Sequence, residues 1–239
     1  MSRQILFFRL LCLLSIAWGA AAADAQSSAA SFSVPDTMAQ RMAGCVVCHG
    51  KEGRATNQGY FPRIAGKPAG YLYNQLVNFR DGRRNYGPMN AMLRYLSADY
   101  LHEIADYFAA LDLPYPSPQT TGAAPGLIER GEALVRRGDP ARNIPACAAC
   151  HGDALTGVAP AIPGLLGLPR DYINGQLGAW REKIRHAQAP DCMAQIAGRI
   201  DPGDVAAVST FLSSQPIADP RPAAAMKNPP PLECGVLAR

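Results

Sequence analysis

Cys45-Val46-Val47-Cys48-His49 and Cys147-Ala148-Ala149-Cys150-His151 are the two stretches on which the reading of this chain turns. Each spells Cys-x-x-Cys-His, and each is followed by glycine. Two thiols three positions apart can add to the two vinyl groups on one edge of a porphyrin, while the adjacent imidazole brings a nitrogen to the iron. The pattern is that of c-type haem attachment. A Cys-x-x-Cys pair alone reads as a redox dithiol or half of a zinc site. The histidine after the second cysteine, and the recurrence of the whole pattern, point instead to two covalently bound haem c groups. Cys45, Cys48, Cys147 and Cys150 are the attachment residues, and His49 and His151 each supply one axial ligand.

The chain has 239 residues, room for one large or two small domains, with 48% hydrophobic residues and raised Gly and Pro. A domain of about 80–100 residues is marginal on its own core, and a covalent haem would supply much of the missing apolar interior. Residues 1–25 read as a signal peptide: Arg3 and Arg9, a short apolar run from Leu10 to Ala17, and small residues for cleavage near Ala23 or Ala25. The run is short for a membrane span. Export to the periplasm fits covalent haem attachment. The formal net charge is +4, with no basic block of the kind nucleic acid binding requires.

The motifs stand 102 residues apart, and a repeat runs beyond them. Pro62-Arg63-Ile64-Ala65-Gly66 matches Pro163-Gly164-Leu165-Leu166-Gly167 at an offset of 101, as Tyr71, Gln75 and Arg80 match Tyr172, Gln176 and Arg181. Leu101 and Phe108 match Val205 and Leu212 at an offset of 104. Each copy predicts a helix ahead of the motif, about Pro35 to Gly44 and Pro125 to Arg137. A loop follows the histidine. A second helix follows, about Pro68 to Asp81 and Pro169 to Arg185, and an amphipathic last helix starts after the N-caps Ser97 and Asp201. No stretch alternates convincingly as a strand, so the fold class is all-α with two tandem domains. The expected bounds are 26–111 and 126–214, with a Pro-containing linker at 112–125 and a Pro-rich tail at 215–239 that has little core of its own.

A haem iron held by one histidine has a sixth position to fill. Met89 and Met193 are the candidates: each lies in a loop seven residues before its last helix, at Leu96-Ser97 or Ile200-Asp201. Met92 has Ile196 as its counterpart and reads as haem packing, and His102 and His186 read as surface residues. The axial imidazoles need acceptors for their other N–H, and the carbonyls of Pro62 and Pro163 are candidates. Arg63 reads either as a propionate partner or as an ordinary solvated charge, and Tyr71 and Tyr172 belong to the haem surroundings. Cys192 and Cys234 remain. They read as a disulfide pinning the tail beside the second haem loop, as Cys192 ligating the second iron in place of Met193, or as free or intermolecular thiols.

These residues resemble the dihaem cytochromes c4, within the class I c-type cytochromes, over roughly residues 36–214. The resemblance rests on the paired Cys-x-x-Cys-His-Gly motifs, Phe61-Pro62-Arg63-Ile64-Ala65-Gly66, Tyr71-Leu72-Tyr73-Asn74-Gln75-Leu76 and the run from Met89 to Ser97. It implies two cytochrome c folds packed face to face, propionates near their interface, and His/Met ligation by His49 with Met89 and His151 with Met193. It implies single-electron transfer between redox protein partners, toward a terminal oxidase in the periplasm, with membrane association through a partner. Asp191-Cys192 before Met193, Gly164 in place of a basic residue, and the tail depart from the family pattern. Two other functions stand beside the carrier reading. One is a cytochrome subunit of a dehydrogenase, such as a flavocytochrome sulfide dehydrogenase. The other is a haem enzyme oxidising a sulfur compound such as thiosulfate through a Cys192-ligated iron.

Overall fold

The computed structural model describes residues 33–55, 59–218, 221, 222, 225, 226 and 228–237, so the expected leader and its cleavage sites lie outside the described residues. The first half carries α1 (Met38–Arg41), α2 (Ala43–His49), α3 (Ala69–Arg80), α4 (Gly87–Leu93) and α5 (Ala98–Ala109). The second half carries α6 (Pro125–Arg137), α7 (Cys147–His151), α8 (Arg170–Arg181), α9 (Cys192–Arg199) and α10 (Pro202–Ser214). The described residues from 36 onward form one compact unit containing two apolar centres. One gathers Leu72, Leu93, Leu101, Ile104 and Phe108; the other gathers Leu134, Leu155, Ile173, Phe211 and Leu212. Each such side chain, once buried, contributes about 1.5–3 kcal/mol.

Both Cys-x-x-Cys-His stretches are helical. Residues i, i+3 and i+4 share one helix face, so one turn presents both thiols and the imidazole in the same direction. Each helix stops at the glycine after the histidine, Gly50 at φ +77° and Gly152 at φ +82°. That is the left-handed region where a side chain is strained. The expected single helix from Pro35 to Gly44 is therefore replaced by two. Thr37 caps α1 by accepting from Gln40 N at 3.2 Å, the chain breaks at buried Met42, and α2 starts afresh to carry the motif.

Further along, Ser97 and Asp201 cap α5 and α10, accepting from Tyr100 N at 3.2 Å and Asp204 N at 2.8 Å. The expected helix to Arg185 ends at Arg181, because Lys183 turns the chain at φ +57° and sends Arg185 inward to a buried position. Against the expectation of no strand, β1 (Gly157–Val158) pairs antiparallel with β2 (Ile162–Pro163) in the loop after His151. The residues expected to be a linker run without helix or strand from Leu111 to Ala124. Gln119 holds them to the second half, its N–H donating to Ser213 O at 2.9 Å and its Oε1 accepting from Arg170 N at 2.8 Å. Among the described residues no helix is long and apolar enough to cross a membrane.

α6 and α10 pack tightly at Gly131, where a Cβ would run into the Ala207 carbonyl and the Phe211 side chain. Their ends are pinned by Asp204, buried at the start of α10. It accepts from Arg130 Nε at 2.8 Å and from Arg142, which also reaches Asp139 at 2.9 Å. Burial alone would raise the Asp204 carboxyl, but the two arginines outweigh it and hold it below the usual carboxylate range. A depressed pKa means stability that is present above the ordinary carboxylate value and lost as pH falls through the lower folded one. Asp204→Asn is therefore expected to cost about 2–3 kcal/mol at pH 7, less than a fully buried pair because both arginines are part-exposed. Denaturant titrations should show the gap between variant and parent closing below about pH 4, near the unfolded carboxylate value.

Candidate functional site

A cavity of about 590 Å³ runs between the two halves, lined by both Cys-x-x-Cys-His motifs and mostly by apolar side chains. His49 and His151 are both buried, and each has its Nδ1 against a proline carbonyl, Pro62 O at 2.9 Å and Pro163 O at 2.7 Å. Burial lowers both imidazole pKa values, favouring the neutral ring. With Nδ1–H donating to the carbonyl, Nε2 is left as the bare nitrogen a metal can take. The four motif cysteines are not paired with one another, and burial pushes Cys147 up to about 11, so its thiol stays protonated and a poor nucleophile.

Met89 and Met193 line the same cavity, but not from loops: they lie in the first turns of α4 and α9. Pro88 near the start of α4 and the Asp191 cap on α9, accepting from Ala194 N at 3.0 Å, explain why helices form there. Asn90, beside Met89, anchors α4, accepting from Tyr86 N at 2.7 Å and donating to Phe79 O at 2.6 Å and Arg84 O at 3.1 Å. Sequence reading passed Asn90 over, and its counterpart at the methionine offset is Ala194.

Cys192 and Cys234 form a disulfide with S–S 2.10 Å, so the Cys192 sulfur is committed to that bond and is not the iron ligand considered above. The tail it holds does have a core: Cys234 is buried, and Ile217 and Leu232 pack on the second apolar centre. Arg63 is not an ordinary solvated charge. It is 2% exposed, donates to the carbonyls of Ala65, Leu113 and Pro114 at 3.1, 2.6 and 2.9 Å, and stacks on Tyr115. His102 is exposed and stacked on Tyr73, and His186 is exposed with Nε2 2.8 Å from Lys183 O.

The strongest polar feature of the cavity wall went unremarked in the sequence. Arg84 and Arg185 are both buried and stand at the same repeat offset of 101. Arg84 donates to Gln75 Oε1 at 3.1 Å, Gln176 Oε1 at 2.7 Å and the Tyr172 hydroxyl at 2.9 Å. Arg185 donates to Gln176 Oε1 at 2.5 Å and Gln75 Oε1 at 3.0 Å, with Tyr71 beside it. Every partner is neutral. Burial, then Arg84, lower Arg185 to about 10; burial, then Arg63, lower Lys67 to about 7, its ammonium donating to Gly164 O at 3.1 Å. Among the lining residues only Asp191 carries a carboxylate, and it is spent on Ala187 N, Ala194 N and Trp180 Nε1. A wall this short of negative charge fits an apolar ring that brings carboxylates with it. Haem, with its two propionates, is such a group.

No protein-family model matches the chain. It is 37% identical over 184 residues to the thiosulfate dehydrogenase electron acceptor of Thiomonas intermedia, covering 77% of this chain and 83% of that protein. It is 35% identical over 175 residues to cytochrome c4 of Pseudomonas aeruginosa, covering 72% of this chain and 84% of that one. Its structure is similar to that of reduced recombinant cytochrome c4 from Pseudomonas stutzeri, with a TM-score of 0.64 and 29% identity over 74% of this chain and 95% of that one.

The glutamines are the shared acceptors of two buried cations, so Gln75→Leu and Gln176→Leu should each cost about 1–3 kcal/mol. Because the two act in one network, the double variant should depart from the sum of the singles. A double-mutant cycle by denaturant unfolding of the holoprotein measures that coupling.

Proposed function

The chain belongs to the cytochrome c4 family, dihaem c-type electron carriers with two covalently bound haem c groups, and from that premise we propose a periplasmic carrier with His49/Met89 and His151/Met193 at its two irons. We propose further that it takes electrons from a thiosulfate-oxidising dehydrogenase and passes them toward a terminal oxidase. The single observation carrying the ligand assignment is that each copy brings a carbonyl-oriented histidine and a helix-borne methionine to one cavity. The donor is argued from the relative that is named for accepting electrons from thiosulfate dehydrogenase. We read residues 1–25 as a leader for export, and 26–111 and 126–214 as one haem-holding domain each.

Each haem, when bound, cycles its iron between ferric and ferrous and so stores one electron. The chain's residues do the rest. Pro62 and Pro163 fix the tautomer and direction of the imidazoles. Methionine as the other ligand raises the potential and closes the position a substrate would need. Arg84 and Arg185 would face the propionates, supplying positive charge that favours the reduced state of both irons. With the Cys192 sulfur in a disulfide, the structure favours the carrier over catalysis through a Cys192-bound iron.

Mixing the ferric holoprotein with a thiosulfate dehydrogenase and thiosulfate should reduce both haems, whereas thiosulfate alone should not; rapid turnover with thiosulfate alone would make the chain an enzyme. Met89→Ala and Met193→Ala should each remove one of two equivalents of the far-red methionine–iron band in the oxidised spectrum. An unchanged band in either variant removes that ligand. Arg84→Gln should lower a haem potential by on the order of 50 mV, and Arg84→Lys should restore most of it, as redox titration would show.

A further inference from the structure

Each methionine lies beside a residue that ties its helix down, and the two copies do this with different chemistry. In the first copy Asn90 does so through three hydrogen bonds to α3 and the loop that follows it. In the second copy Ala194 occupies the matching place and has no side chain with which to bond, and the Asp191 cap ties only the first turn, accepting from Ala187 N at 2.7 Å and Trp180 Nε1 at 3.3 Å. There Cys192, the neighbour of Met193 on the other side, is bonded to Cys234 of the tail, with the Cα atoms 5.1 Å apart. The tail is also fastened by its backbone: Gly235 N donates to Pro190 O at 2.9 Å, in a fit so close that a Cβ on Gly235 would strike the Ala189 carbonyl.

Farther back, Thr156 Oγ1, in the loop after His151, donates to Arg221 O at 2.9 Å. The tail therefore joins the loop after the second histidine to the helix carrying Met193. Between those ties Met226, Pro230 and Leu232 line the cavity. Exposure also differs between the copies: Met92 of the first is 47% exposed, its counterpart Ile196 only 9%.

We propose that the tail is a strap whose Cys192–Cys234 bond, added to the Asp191 cap, positions Met193 for the second iron, while its apolar residues keep water from that side. The proposal rests on the reading of Met193 as the second iron's sixth ligand. A methionine whose helix is loose spends part of its time off the metal, and the apparent affinity of a competing ligand rises with that fraction.

The test uses the holoprotein and carbon monoxide. Ascorbate reduces the haems and leaves the disulfide; a phosphine reduces the disulfide as well, and a thiol assay counts the two sulfurs released. With the disulfide intact neither haem should bind carbon monoxide at concentrations that saturate the site opened by its reduction. After its reduction one equivalent should bind, and the Cys192→Ala/Cys234→Ala protein should bind one equivalent without phosphine, at an apparent affinity about tenfold or more above the parent. If neither haem opens in the reduced parent or the variant, the strap does not position Met193 and the proposal falls. If both haems open, the disulfide supports the whole fold and the proposal falls equally. If the untreated oxidised protein shows a single equivalent of the far-red band and Met193→Ala does not change it, the ligand reading itself has failed. Should the double variant not fold, the phosphine arm on the parent decides.

Discussion

A histidine that gives one ring nitrogen to a metal must have the other nitrogen satisfied, and inside a protein only a fixed acceptor will do that. His49 and His151 each find it in a proline carbonyl, at 2.9 and 2.7 Å. That requirement shapes the chain around it. The carbonyl lies 13 residues on in one copy and 12 in the other, so the chain must leave the motif helix and come straight back. A left-handed glycine directly after each histidine makes that reversal possible. The short β ladder after His151 holds the returning strand, which ends on Pro163, in register.

Charge follows a second logic. Arg84, Arg185 and Lys67 are buried around one cavity with neutral partners, an arrangement that costs free energy unless anions join it. A protein can tolerate such a deficit when its prosthetic group brings the missing charge. Apolar walls, four thiols, two oriented imidazoles and buried cations without carboxylates all describe the same guest.

Much of this was legible because it is local. The motif spacing, the caps at Ser97 and Asp201, the helix from Pro125 to Arg137 and the helical class depend on residues close together in the chain. The repeat carried the reading further, since it matched Met89 to Met193 without reference to contacts. What escaped depends on burial. An arginine in a sequence reads as surface by default, so a solvated reading stood beside the propionate one for Arg63, and Arg84 and Arg185 were overlooked, although the last two recur at the offset already in use. The methionines were expected in loops because α4 and α9 are too short for their periodicity to stand out. Composition gave the tail little core of its own, although the two leftover cysteines already offered the Cys192–Cys234 bond that holds it.

The glutamine and arginine network has one more property. Arg84 reaches Gln75 of its own half and Gln176 of the other; Arg185 reaches Gln176 of its own half and Gln75 of the other. Exchanging the halves reproduces the pattern, which makes the contact isologous, the kind two identical subunits form about a two-fold axis. A single copy carrying this face would be complementary to itself. The tandem chain thus holds, within one polypeptide, the contact geometry a homodimer would have. Away from that face the halves need not match, and they do not: a disulfide to the tail lies beside Met193, and a hydrogen-bonded asparagine lies beside Met89.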